Sequence, residues 1–446
     1  MGNNNSSLTS WVMFLIGLFS QTQIRVVGSI GISELFIFLV APFVWITHYG
    51  DLRRERVTPT LNLLFLAMLG CAISCLVNRT PLAAALRGLA APYGFFACLV
   101  VFYVILRQSP MSFKWYLLGG AISFVLCTFV FQQAVEATMA DMAGPGKSAE
   151  KIIEGPIYWI GRLGGFVMWP IQGMYLKCPL PYSIIASFVF GAWSMLTSSS
   201  GRSSALLAVV SAILILIGRK SRHSIENIQR YFFPLILCGI IFVFLFKTAY
   251  TMAASSGALG ESAQAKLEGQ TRGKTDMLSV LMGGRLPVFV GGYACLKRPV
   301  TGYGPWAIDN DDIYADFMRK YGNAEDYEQM LKTRGDYARF GVTRHYLIPA
   351  HSAIIGWWLW YGILGLPIWI YIMYIMYDTV RHRIAAVPAF FGLFATMLPT
   401  NIWGLFLSPF GARMPWAFFV AMLLVNRMLD ERQKASFPYL AGMRLR

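Results

Sequence analysis

The chain reads as an all-α polytopic membrane protein, and three observations predict this. Its 446 residues are 56% hydrophobic and only 13% charged. Apolar runs of about 15 to 25 residues recur, long enough to cross a hydrocarbon layer of roughly 30 Å. A formal charge of +16 collects in short connections that fall on one side of such an arrangement, as the cytoplasmic face of a membrane protein does. That placement argues against the nucleic-acid partner that the same charge would suggest in a soluble chain.

About twelve transmembrane helices are expected, near 8–24, 31–47, 60–77, 82–106, 115–133, 157–176, 180–197, 203–218, 231–250, 352–377, 386–407 and 412–428. This phasing puts Arg53, Arg54 and Arg56, then Arg107 and Lys114, Lys177, Arg219, Lys220, Arg222 and Arg230, Arg381 and Arg383, and the tail from Arg427 to Arg446 together. Both ends then face the cytoplasm. The first ten residues hold no Lys or Arg and no small-residue cleavage site follows Trp11–Phe19. This segment therefore reads as the first span and not as a cleaved signal peptide.

Residues 1–250 thus carry helices one to nine, 251–350 a large outer loop element with short helices, 351–430 the last three spans, and 431–446 a cytoplasmic tail. A second, smaller outer loop is expected over 134–156, which is polar and broken by Gly and Pro. Within 251–350, Ser279–Leu296 is apolar around Arg285 but too short and Gly-rich for a free span, and suits a helix at the interface. Residues 311–345 alternate charged and apolar positions as amphipathic helices do. Asp309-Asn310-Asp311-Asp312 reads as a helix cap and not as a metal site. The seven cysteines (71, 75, 98, 127, 178, 238 and 295) lie mostly in apolar runs, so core thiols are expected and not a disulfide frame.

Chemistry is sought on the outer face, where a cation opposes the charge bias and an ionised group near lipid is costly unless paired or wetted. Arg202 stands there in Ser198-Ser199-Ser200-Gly201-Arg202, at the start of a span. An Arg snorkelling to the headgroups is the bland reading. An Arg beside a helix N-terminus and its free amides is also a phosphate site. Arg285 follows Gly283-Gly284 and precedes Arg298-Pro299 and Gly302-x-Gly304, and is either a paired loop cation or part of the same site. His351, at the mouth of the tenth span, is either a hydrogen-bonded interfacial residue or a neutral base available near pH 7. Arg25, Arg79 and Lys247 map to the same side, as anchors or as further substrate contacts, with Arg298 in the loop element beside them. Glu34, near the outer end of span two, can pair with one of these cations or contact hydroxyl groups.

Together, Ser-Gly-Arg202 with Leu206, Gly-Gly-Arg285 leading to Pro299-x-x-Gly302-x-Gly304, and His351 with Gly362 beyond it resemble the O-antigen ligase and Wzy polymerase superfamily of bacterial envelope glycosyltransferases. The resemblance covers about 195–375. It departs from the family in having Ser352 where Asn usually follows the His, and Pro287 where a Trp-bearing helix often follows the Arg.

The resemblance implies a cofactor-free, metal-independent transferase of the C-type membrane architecture in the bacterial inner membrane, with its site on the periplasmic side. The donor would be a glycan on undecaprenyl diphosphate, and the acceptor a lipid-linked glycan or lipid A–core. A polysaccharide chain-length regulator would be a further partner. Arg202 and Arg285 would hold the diphosphate and His351 would act at the acceptor. The aromatic content of 305–345 favours polymerase over ligase. A flippase for the same lipid is the reading from another class, and it would line a central path with cations.

Overall fold

The computed structural model describes residues 4–20, 22–25, 29–129, 210–211, 213–214, 226, 229–258, 286–309, 311–321, 346–349, 351–407 and 413–436. They are mostly helical. The spans expected at 157–176 and 180–197, most of 203–218, and the loop at 134–156 lie outside them. Five described stretches are long and apolar enough to cross a membrane: Ile32–Arg54, Thr58–Val77, Leu82–Gln108, Ala353–Arg383 and Ala389–Leu407. This makes the chain compatible with a multi-pass membrane protein, with five such helices among the described residues against twelve expected in the whole chain.

The first helix, α1 (Asn4–Leu18), leads through a two-stranded hairpin, β1 (Gln23–Arg25) and β2 (Ser29–Gly31), into α2 (Ile32–Arg54). α3 (Thr58–Val77) starts with a proline in its first turn, where no amide partner is lost, and ends where the Asn78 side chain donates to the Ser74 carbonyl at 2.8 Å. α4 (Leu82–Gln108) and α5 (Phe113–Phe129) follow. The chain is next described at Val210, Ser211, Ile213 and Leu214, all helical, with Leu214 against the main core.

Beyond this come α6 (Phe232–Ser255), α7 (Leu286–Lys297), the short strand β3 (Ile308–Asp309), α8 (Ile313–Tyr321) and β4 (Tyr346–Leu347), which pairs antiparallel with β3. The last helices are α9 (Ala353–Tyr361), α10 (Leu366–Asp378), α11 (Pro388–Leu407) and α12 (Arg413–Ser436).

α4 is the axis of the bundle. Phe95 to Phe102 are all buried, and α2, α3 and α12 pack around them. α12 supplies a matching buried run, Ala417 to Val425. α1 lies on α5 through glycines: a Cβ on Gly17 would fall on the Tyr116 carbonyl, and one on Gly119 on the Phe14 carbonyl. Such small-residue contacts let backbones approach where lipid offers no hydrophobic drive between helices. On α2 the opposite face is uncovered. Leu35, Leu39, Phe43 and Ile46 are exposed while Ile37 and Ala41 are fully buried, the pattern of a helix with one side toward lipid.

One end of the bundle is a net of ion pairs. Arg107 reaches Asp51 at 2.7 Å and Glu55 at 3.1 Å, and Arg432 reaches Glu55 at 2.6 Å. Arg383 reaches Asp378 at 2.7 Å and Asp430 at 3.2 Å, and Arg427 reaches Glu431 at 3.2 Å. Arg381 donates to the Gln229 carbonyl, which brings the entry to α6 to the same end. Of the basic groups assigned above to one face, Arg107, Arg381, Arg383, Arg427 and Arg432 come together at this end, each tied to an acid or a carbonyl.

The span expected at 352–377 is a correction, because it is two helices. Along a straight helix, twelve residues cover about 18 Å, yet the Trp357 and Trp369 rings lie 5.2 Å apart. Gly362, at φ +64°, breaks the helix, and a single tight turn over Gly362–Gly365 folds α10 back against α9. α10 continues through a π-helical turn, Thr379–Arg383, so that 366–383 alone measures about 27 Å. The hydropathy of the run gave no sign of the break, since both halves are apolar.

Candidate functional site

The end of the bundle opposite the ion-pair net carries His351, Arg298, Arg79 and Glu34. His351 is half-buried and immediately precedes Ser352, the N-cap of α9. The Ser352 hydroxyl accepts from the Ile355 amide at 3.3 Å and donates to the Leu405 carbonyl at 2.5 Å, pinning this corner to the end of α11. Serine fits here because its short hydroxyl can cap and cross-link at once.

α7 packs on this corner. A Cβ on Gly291 would lie 2.8 Å from the Pro349 carbonyl and 2.9 Å from the Ile355 side chain, and the Cys295 thiol meets the Ile355 carbonyl at 3.8 Å. α7 begins at Leu286, the residue after Arg285, in the stretch expected to form an interfacial helix. Arg285 itself and Arg202 lie outside the described residues.

The glycine motif has a structural reason. The Tyr303 amide donates to the Leu359 carbonyl at 2.7 Å and the Ile363 amide to the Val300 carbonyl at 3.1 Å. Gly302, at φ +63°, meets Gly362 in a joint where its Cβ would lie 2.5 Å from the Leu359 carbonyl, while Gly304, at φ +79°, faces the end of α3, where a Cβ would lie 2.6 Å from the Thr80 hydroxyl. The Trp358 indole donates to Pro299 at 2.8 Å on the same seam. Two motifs more than fifty residues apart therefore interlock.

Arg298 belongs to this joint. Its guanidinium meets Asp311 at 2.5 Å and donates to Asn78 Oδ1 at 2.8 Å, with its carbon 5.0 Å from the Tyr303 ring centre. It ties the loop after α3 to the segment before α8. Burial pushes the Tyr303 phenol above its ordinary range. Asp309 caps α8 as expected, accepting from Ile313 at 2.9 Å and Tyr314 at 2.7 Å. Burial raises its carboxyl above the usual carboxylate range, against the opposing pull of those amides.

Glu34 is buried at the start of α2, and the cation it meets is Arg413, at 3.2 Å. Arg413 opens α12, donates to the Ala90 carbonyl at 3.0 Å, and lies over the Phe38 ring at 5.9 Å. Sequence reasoning missed Arg413, although the criterion that selected Arg202, a cation opening an apolar helix on the sparsely charged side, applies to it equally. Arg79 is exposed in the loop between α3 and α4 at φ +48°. Arg25 sits in the hairpin before α2, and Lys247 lies about 22 Å along α6 from its start.

Five cysteines are free thiols; Cys71, Cys98 and Cys295 are buried, Cys75 half-buried and Cys238 exposed. The thiols of Cys71 and Cys75 stand 4.0 Å apart on one helix face. Cys178 and the Cys127 side chain lie outside the description.

Among the described residues, fold and site give a mostly helical bundle, compatible with several membrane spans, with a polar corner at one end that carries a histidine and the Glu34–Arg413 pair. Comparisons with protein-family models, with curated proteins and with solved structures return no match.

Proposed function

We propose that this chain is a periplasmic-face glycosyltransferase of the bacterial inner membrane, acting as a Wzy-type polymerase on undecaprenyl-diphosphate-linked glycan. The observation that carries the reading is the interlock of 286–304 with 349–363: the stretch that follows Arg285 packs directly on the corner bearing His351. Of the stretches that the resemblance joins by order along the chain, Pro299–Gly304 and the segment from His351 to Gly362 are in contact, which supports the reading.

The chemistry follows from the residue types. An acceptor sugar hydroxyl attacks the anomeric carbon, and its proton passes to His351 as the new glycosidic bond forms. The bond from that carbon to the diphosphate oxygen breaks, and the electron pair leaves with the lipid diphosphate. Arg202 and Arg285 offset the charge that builds on the leaving group, each as a planar fork matched to phosphate oxygens. A positioned base is worth a factor of about 10² to 10⁴ in such a step.

The test is purified protein with a synthetic undecaprenyl-diphosphate oligosaccharide. Chain extension on the lipid supports the polymerase. Transfer only when lipid A–core is supplied would replace it with the ligase. Movement of the lipid across a vesicle bilayer without any new glycosidic bond would replace both with a flippase.

A further inference from the structure

The transfer chemistry above leaves the Glu34–Arg413 pair unused, and beside it lies a cleft. Arg413 lines it together with Phe95, Ala353 and three tryptophans, Trp357, Trp369 and Trp416, with space for a water-sized group. Trp369 stands between the other two indoles, edge-on to Trp357 at 5.2 Å and to Trp416 at 5.1 Å. It is only 2% exposed, and its Nε1–H has no hydrogen-bond acceptor among the described residues. A buried donor left in that state keeps its desolvation penalty, which an incoming oxygen would recover.

Charge decides what that oxygen belongs to. A diphosphate needs a surplus of positive charge, and here Glu34 stands 3.2 Å from the one guanidinium and cancels it. A hydroxyl suits a balanced pair, since it accepts from one partner and donates to the other. The three indoles are themselves only 2% to 6% exposed, so the small void admits a hydroxyl or hydroxymethyl group while the sugar ring stays at its mouth. Ala353 places the cleft two residues along the chain from His351.

We propose that the Trp357–Trp369–Trp416 cleft with Arg413 and Glu34 is a neutral-sugar subsite, in which one hydroxyl accepts from the Trp369 indole N–H. This deepens the transferase reading and rests on it only for the sugar's part, which is that of acceptor.

The experiment follows the indole N–H resonances of the isotopically labelled full chain in lipid nanodiscs. The Trp369 signal is assigned by its loss in Trp369→Phe, with the remaining indole signals unmoved as the check on folding. Millimolar methyl glycosides of neutral hexoses are titrated in, and inorganic diphosphate separately. The expected result is a shift of the Trp369 signal with at least one glycoside and none with diphosphate, and a five- to tenfold weaker apparent affinity in Arg413→Lys, as the loss of about one hydrogen bond gives. A signal that no glycoside moves, or that diphosphate moves instead, overturns the subsite. Polymer synthesis with an unmoved indole removes the subsite and spares the transferase. A glycoside-shifted indole in a protein without transfer activity does the reverse.

Discussion

His351 and the two motif arginines divide the work in ways that separate substitutions expose. Arg202→Lys and Arg285→Lys keep the charge but lose the fork, so each is expected to lower polymer yield by at least ~10²-fold, in the range that loss of one transition-state donor costs. Wild-type chain lengths from either lysine variant would show that charge alone suffices. For His351, activity is expected to fall on acidification, because a protonated ring cannot take the acceptor's proton. His351→Gln keeps hydrogen bonding without basicity, and should lose turnover and the acid limb together while donor binding persists. If the glutamine variant keeps the wild-type pH profile, the base lies elsewhere. Arg413 teaches a different lesson at this scale. Its partner Glu34 was noticed for being a carboxylate near lipid, but the pairing spans from α2 to α12 and no local pattern records it.

Several of the closest approaches between elements are made at glycines. Gly362, at φ +64° and ψ −159°, holds a backbone conformation essentially restricted to glycine, and a Cβ there would fall on the Val300 carbonyl, so Gly362→Ala carries both a backbone strain of about 1–3 kcal/mol and a clash. Thermal unfolding in detergent is expected to drop clearly for this variant. Gly239→Ala, where nothing lies within 4 Å of the added carbon, should hold or slightly raise the midpoint, since alanine suits a helix interior better. Equal midpoints for the two would deny that the joint between 299–304 and 359–363 bears on stability. Hydropathy located α2, α3, α4 and α11 well, because each is one uninterrupted apolar run. It merged α9 with α10 for the same reason, since the break is a matter of backbone conformation at one residue and both halves stay apolar. Asp309 was legible as a cap because its carboxylate acts within five residues of itself. Arg298 looked like a substrate contact because its partners Asn78 and Asp311 lie apart from it in sequence, one of them across the bundle.

The whole molecule is ordered by its two ends, and its orientation can be read chemically. Cysteines introduced near 140, 200 and 320 are expected to react with an impermeant thiol reagent from the periplasmic side, and those near 55, 225 and 380 only after the inner face is opened, in a background that keeps the buried native thiols. Labelling of position 320 from the cytoplasm would reverse the molecule and carry the His351 corner away from the donor's sugar. The segregation of basic groups was visible in the sequence as a count per loop; that they close into pairs with Asp51, Glu55, Asp378 and Asp430 was not, because most of these pairs join helices far apart along the chain.

The packing of α12 on α4 also sets a schedule for biosynthesis. About 300 residues separate the two helices, which at 5–20 residues per second is roughly 15–60 s of translation. For that interval the innermost helix of the finished protein must sit in the membrane with one flank uncovered, Phe102 still without the Phe418 ring that it will meet edge-on at 5.4 Å. The insertion machinery, or a bound chaperone, therefore has a specific surface to shield. A chain cut short before Arg413 would leave that surface bare for good, and quality-control proteolysis should remove it well before any question of catalysis arises.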